Sequence, residues 1–282
     1  MMAAPFFLNG THGRLFALYY PPKIGQPEGL IIHIPAFAEE MNKSRRMVAL
    51  QASALSNNNF AVLVLDLFGT GDSEGLLENA SWQIWQNDID SAIDWLKQQY
   101  SEIPLYLWGL RFGCALAVSY VAQSNTEIRG LMLWQPLLSG KMLFNQFLRL
   151  RIATALTHQS TTHQSTTHKS PETTKSLLQD LANGTAIEVG GYLLSPEFSA
   201  SILDIEAGQR SFNLPINIIW LDFMAGDAAK PSPASSKVIN HWIQQDNTVN
   251  WTAINGDRFW STQEISVCPE LITVTTKLLC TS

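Results

Sequence analysis

The chain is 282 residues long and 46% apolar, enough to bury a full core, and one α/β domain of that size is ordinary. Only 15% of the residues are charged and the formal charge is −6, which leaves no basic footprint for nucleic acid. Cys114, Cys268 and Cys280 make neither a disulfide framework nor a zinc motif, and they suit a reducing compartment.

In chain order, Met1–Gly13 lacks the basic start and apolar core of a signal peptide, and no apolar run approaches the roughly 18 residues of a membrane helix. Both features predict a cytoplasmic chain without membrane insertion. Pro5–Tyr20 reads as a hairpin turning at Asn9-Gly-Thr-His-Gly13 and stopped by Pro21-Pro22. Leu30–Ile34 is an apolar run apart from His33, as expected of a central parallel strand. A helix capped by Asn42 or Ser44 follows, with Met47, Leu50 and Ala54 on its inner face and Asn57-Asn58-Asn59 at its end. Phe60–Leu67 is the next strand. A helix from about Ser81 carries Trp82, Trp85, Ile89, Ile93 and Leu96 at helical spacing.

Leu105–Trp108 reads as a buried strand, Arg129–Trp134 as another, and the alternation then breaks. Lys141–Leu156 is a helical pattern with Leu143, Phe147 and Leu150 on one face. Residues 157–170 are a five-residue Thr/His/Gln/Ser repeat, and helical patterns cover Glu172–Asn183 and open again at Ser195-Pro196. Strand Pro215–Leu221, helix Ser232–Gln245, strand Thr248–Ile254 and a helix opening at Pro269 restore the alternation. Strands alternating with helices predict a doubly wound, mostly parallel sheet. The expected organisation is a core from 1–139 and 213–282, with a helical lid insertion, 140–212, over the carboxyl ends of the strands.

Gly109 and Gly113 bracket a sharp turn between the Leu105–Trp108 strand and a helix of small apolar residues. This layout resembles the nucleophile elbow, Gly-x-Ser-x-Gly, of the α/β-hydrolase fold, with Arg111 standing where the Ser would be. Asp66-x-x-Gly69-x-Gly71-x-Ser73 after the preceding strand strengthens the likeness. Four further blocks, Pro35–Met47, Trp108–Gly113, Leu133–Pro136 and Phe259–Ile265, resemble the exosortase A system-associated hydrolases of type 2. That resemblance implies a cytoplasmic protein of bacteria that make exopolysaccharide, a hydrolase label without a defined substrate, and an Arg at the elbow as a family feature.

A hydrolase of this fold needs Ser, acid and His in that chain order. Arg111 is a permanent cation that cannot attack a carbonyl. Asp222 or Asp227 is placed to supply the acid. In Asn255-Gly-Asp-Arg-Phe-Trp260, where the His would fall, Arg258 is the nearest counterpart. The backbone donors of an oxyanion site remain, at Phe112 and in the Pro35-Ala36-Phe37 turn. With them Arg111 either grips a carboxylate or phosphate, or pairs internally with Glu39, Glu40 or Asp72. Trp108, Trp134, Trp220 and Trp260 fall near strand carboxyl ends, as pocket walls or as plain core. Lys43, Arg45 and Arg46 either meet an anionic ligand or form a solvated helix start. Cys114 points into helix packing. His158, His163 and His168 do not share one helix face, so a solvated loop is favoured over metal binding. The expectation is therefore a protein that binds a small acidic or acyl-bearing ligand at a former active site. The alternative is a hydrolase of ester or acyl bonds with a non-standard nucleophile or activated water. No metal or cofactor is called for, and a homodimer is left open.

Overall fold

The computed structural model describes residues 3–161, 172–224 and 230–281, with side chains described for all of these except 155–161. The order is β1 (Ala4–Asn9), β2 (Arg14–Tyr20), β3 (Gly29–Ile34), α1 (Glu39–Asn57), β4 (Phe60–Leu65), α2 (Trp82–Gln99), β5 (Leu105–Leu110), α3 (Gly113–Gln123) and β6 (Gly130–Trp134). Then follow α4 (Gly140–Thr161), α5 (Thr174–Ala182), β7 (Ile187–Val189), β8 (Tyr192–Leu194), α6 (Pro196–Leu203), β9 (Asn217–Phe223), α7 (Pro233–Ile243), β10 (Thr248–Ile254) and α8 (Pro269–Cys280). Eight strands form one sheet in the order β1-β2-β4-β3-β5-β6-β9-β10. The β1–β2 and β2–β4 pairs are antiparallel, and the other neighbours run parallel. The doubly wound, mostly parallel sheet read from the sequence is observed.

Every residue of β3, β4, β5 and β6 is buried, because helices cover both faces of a parallel sheet. Side chains alternate between two cores. Leu30, Ile32 and Ile34 of β3 join the larger cluster, whereas Ile31 packs on the opposite face with Val62, Val64 and Trp108. The helix at Trp82 is capped by the Ser81 side chain, and all five expected apolar residues are buried.

Three local expectations are corrected. Helix α1 starts at Glu39, earlier than a cap at Asn42 or Ser44 requires, and no side chain caps it. Its inward stripe is Met47, Val48, Gln51, Ala52 and Leu55, while Leu50 is exposed, about one residue out of phase with the expected Met47-Leu50-Ala54 face. Leu150 of α4 is likewise exposed, with Phe144 and Leu148 taking the buried places beside Leu143 and Phe147. The antiparallel β7–β8 hairpin, closed at Gly190-Gly191, was not anticipated, although Gly-Gly between two short apolar runs is its signal. The repeat at 157–170 lies outside the described residues except for the backbone of its first part.

The loop after β4 is tied down by Asp66. Its carboxylate accepts from Arg45 Nη2 at 2.8 Å, Arg45 Nη1 at 3.2 Å and the Asp72 N–H at 3.0 Å. The Ser73 hydroxyl donates to the Asp66 carbonyl at 2.6 Å and accepts from the Phe16 N–H at 2.8 Å, which joins this loop to β2. Gly71 has φ 56°, and a Cβ there would overlap the Asp66 carboxylate. Gly71→Ala therefore combines backbone strain with displacement of the buried Asp66 carboxylate from its half-exposed partner Arg45. The expected melting midpoint is lower by more than about 5 °C in a thermal unfolding scan.

Candidate active-site cleft

The elbow forms as its glycines dictate. A Cβ on Gly109 would sit 2.6 Å from the Cys114 backbone, and one on Gly113 would overlap carbonyls of the β3 terminus. Arg111 stands between them at φ 54°, a left-handed conformation that a side chain adopts only where its surroundings enforce it. Its N–H donates to the Trp134 carbonyl at 2.9 Å and its carbonyl accepts from Cys114 and Leu137, so β5, β6 and α3 hold the turn together.

The Arg111 side chain is largely buried and engaged on three sides. Nε donates to both carboxylate oxygens of Glu40, at 3.1 and 3.2 Å. Nη2 donates to Gln146 Oε1 on α4 at 3.0 Å, and the guanidinium lies 5.6 Å from the Trp260 ring centroid. Of the three internal partners considered for Arg111, Glu40 is the one observed. Glu39 instead accepts from Asn42 and from the Tyr192 hydroxyl of β8, and the Asp72 N–H turns back to Asp66. Burial pushes the Glu40 carboxyl above its ordinary range, with Arg111 and then Lys43 pulling the other way.

The turns read as oxyanion donors hold two unengaged backbone groups. Among the described residues, the N–H groups of Phe37 and Phe112 have no hydrogen-bond acceptor. Ala36, Phe37 and Phe112 face a void of about 20 Å³, room for little more than one water. Aromatic packing closes it. Phe37 meets Phe147 of α4 at 5.0 Å and stacks on Phe198 of α6 at 6.0 Å, while Phe112 meets Trp82 at 5.6 Å. Above Arg111 lies a wider cleft of about 210 Å³, with Phe37, Leu143, Phe147, Leu150 and Trp260 as apolar walls and Glu39, Glu40, Lys43 and Gln146 as polar ones. Arg111 does not line this cleft; it sits behind Glu40, Gln146 and Trp260.

Other sequence candidates are redirected. Asp222 lies inside β9, one residue before its end, 3% exposed, and accepts from the indole N–H groups of Trp220 at 2.8 Å and Trp251 at 3.0 Å. It serves the sheet, and the early end drawn for that strand is what made it look like a loop acid. Asp227 lies outside the described residues. Arg258 is exposed and makes no side-chain contact with the cleft; the residue that reaches it from this loop is Trp260. Trp134 is fully buried, donates to Thr275 Oγ1 at 3.0 Å and packs on Trp108, so it is core and not a pocket wall. Cys114 is fully buried and its thiol is pushed up by burial, as suits packing and not nucleophilic attack. Gln146 was missed, since nothing in a polar residue on a helical pattern signals a partner 35 positions away. Among the described residues no group of His, Cys, Asp and Glu is arranged to hold a metal.

Comparison with known proteins places this architecture. The family described as serine aminopeptidase, S33, matches residues 25–217. The chain belongs to that family, within the α/β-hydrolases. Monoglyceride lipase of Mus musculus is 26% identical over 134 residues, 47% of this chain and 43% of the lipase, and the Homo sapiens protein is 25% identical over the same number. The chain thus aligns with less than half the length of these relatives. Ferulic-acid-bound Est1E from Butyrivibrio proteoclasticus superposes with TM-score 0.67 at 18% identity, covering 98% of both chains. A carboxyl esterase from Bacillus coagulans in complex with glycerol gives 0.62 at 15% identity, covering 100% of this chain and 99% of its own. These likenesses establish the fold.

The Glu40–Arg111 pair has a pH signature. Burial raises the folded-state carboxyl above its unfolded value, so stability falls as pH rises between the two. Removing Arg111 takes away the lowering partner and widens that window. Arg111→Met is expected to cost about 1–3 kcal/mol at pH 8, below the full value for a buried pair because Glu40 is a quarter exposed. The deficit shrinks toward pH 4, where Glu40 is protonated, and paired thermal melts across that range read it directly.

Proposed function

We propose that this α/β-hydrolase-fold protein does not hydrolyse esters by the Ser–His route and instead binds a small acyl-bearing acid in the cleft above its elbow. The observation that carries the reading is the elbow itself, where Arg111 stands in the strained position that the fold reserves for a nucleophile and is bound to Glu40 and Gln146. A cation so held neither attacks a carbonyl nor accepts a proton, and the loop 255–260 supplies no histidine as base. The void at the backbone donors is too small for an acyl carbon and its substituents.

The cleft beside it suits an apolar chain with an acidic head. Phe37, Leu143, Phe147, Leu150 and Trp260 offer the chain its walls, and Lys43, which has no ion-pair partner among the described residues, offers the head a cation. Arg111 acts from behind, through Glu40 and Gln146, so the acid meets Lys43 and not the elbow. In this reading residues 140–212 are the lid, fastened to the core through Gln146–Arg111 and Tyr192–Glu39. Two of the blocks that resemble the exosortase A system-associated hydrolases, Pro35–Met47 and Phe259–Ile265, both contribute walls of the cleft. That supports a role beside exopolysaccharide production, and the free cysteines support a cytoplasmic setting.

A second reading, turnover of ester or acyl bonds, draws support from the lipase and esterase names of the relatives. Two assays separate them. A fluorophosphonate probe is expected to leave the protein unlabelled, and Arg111→Ser is expected to create no p-nitrophenyl esterase, since no base stands ready. Octanoate titrated by calorimetry is expected to bind at least tenfold more weakly to Lys43→Ala. Labelling of a serine, or octanoate affinity indifferent to Lys43, overturns the proposal.

A further inference from the structure

Helix α1 separates two cavities. Glu39, Glu40 and Lys43 face the cleft just described, whereas Met41, Ser44, Arg45, Val48 and Ala49, spaced three and four apart, face a pocket on the other side of the helix. This second pocket, about 300 Å³, lies between α1 and strands β2, β3 and β4. That size is the lower end of the usual range for small-molecule sites, roughly 300–1,000 Å³, and far exceeds the voids that close-packed cores leave. Its depth is apolar, with Leu18, Tyr20, Val64 and Leu110 among its walls.

Two polar features are placed for a ligand. At the bottom lies His33 of β3, 2% exposed. Its Nδ1 is 3.2 Å from the Trp108 carbonyl, which can only accept, so Nδ1 carries the ring proton and Nε2 presents a lone pair. Among the described residues Nε2 has no partner, and burial holds the ring neutral by pushing its pKa down to about 3. That lone pair is an acceptor to which a ligand hydroxyl in the pocket can donate. At the wall stand Arg45, paired with Asp66, and Arg46, exposed and without an ion-pair partner among the described residues.

We propose that this pocket is a second binding site, independent of the elbow cleft, for a compact hydroxy acid. The carboxylate meets Arg46 at the rim, the apolar body fills the space beneath α1, and the hydroxyl donates to His33 Nε2. The probe is 4-hydroxycinnamate, with cinnamate, which lacks the donor, as its partner. Titration by calorimetry is expected to show 4-hydroxycinnamate binding at least tenfold more tightly than cinnamate, because only the former satisfies Nε2. Ala49→Trp, which fills the pocket from its half-exposed wall, is expected to abolish binding. Arg46→Glu, at an exposed position, is expected to weaken it at least fivefold and carries the test if Ala49→Trp misfolds. Excess octanoate is expected to leave the probe bound. Absence of binding, equal affinity for the two acids, indifference to Arg46→Glu, or displacement by octanoate each overturns the second site.

Discussion

The arrangement around the elbow depends on one ion pair, that between Arg111 and Glu40. The fold forces a sharp turn after β5 and presents the side chain at its apex to the space where the sheet's carboxyl ends meet the segment between β6 and β9. A guanidinium at that apex must be neutralised and its donors satisfied. Glu40 does the first and Gln146 contributes to the second, while Trp260 lies against the planar cation. Three distant parts of the chain, the α1 start, α4 and the loop after β10, are thereby brought to one side chain. The same contacts shape the cleft walls, so the brace and the cavity above it are one construction.

The rest of the framework makes that construction rigid. The Asp66 loop fixes Arg45 and with it one flank of α1, and the Phe37–Phe147–Phe198 group packs α4 and α6 onto the β3 terminus. Among the described residues the N–H groups of Phe37 and Phe112 have no acceptor, and the void beside them is only about 20 Å³. Those N–H groups belong to backbone that the turn geometry fixes regardless of which side chain sits at the apex.

Much of the fold was legible because burial writes itself into periodicity. Apolar runs, broken in β3 by His33, marked β3, β4 and β5, and helical spacing behind a Ser cap marked α2. Reading failed where contacts, not periodicity, decide. Helix α1 begins without a capping side chain, so its start and phase were misplaced. Asp222 resembled a loop acid until the strand's length put it between two indoles. The choice of Glu40 over Glu39 as Arg111's partner turns on a helix rotation that adjacent carboxylates in a sequence do not reveal. Trp134 and Trp260 looked alike as strand-end aromatics, yet one is core and the other a cleft wall.

The central claim is that the elbow position is a brace, with its energy in the pairing of Arg111 and Glu40. A double-mutant cycle tests it most directly, using Arg111→Met, Glu40→Gln and the double variant in denaturant unfolding at pH 8. The account predicts a favourable coupling of about 1–2 kcal/mol, with the double variant more stable than the sum of its single changes implies. A coupling indistinguishable from zero would contradict it and return Arg111 to the position of a free cation awaiting a ligand.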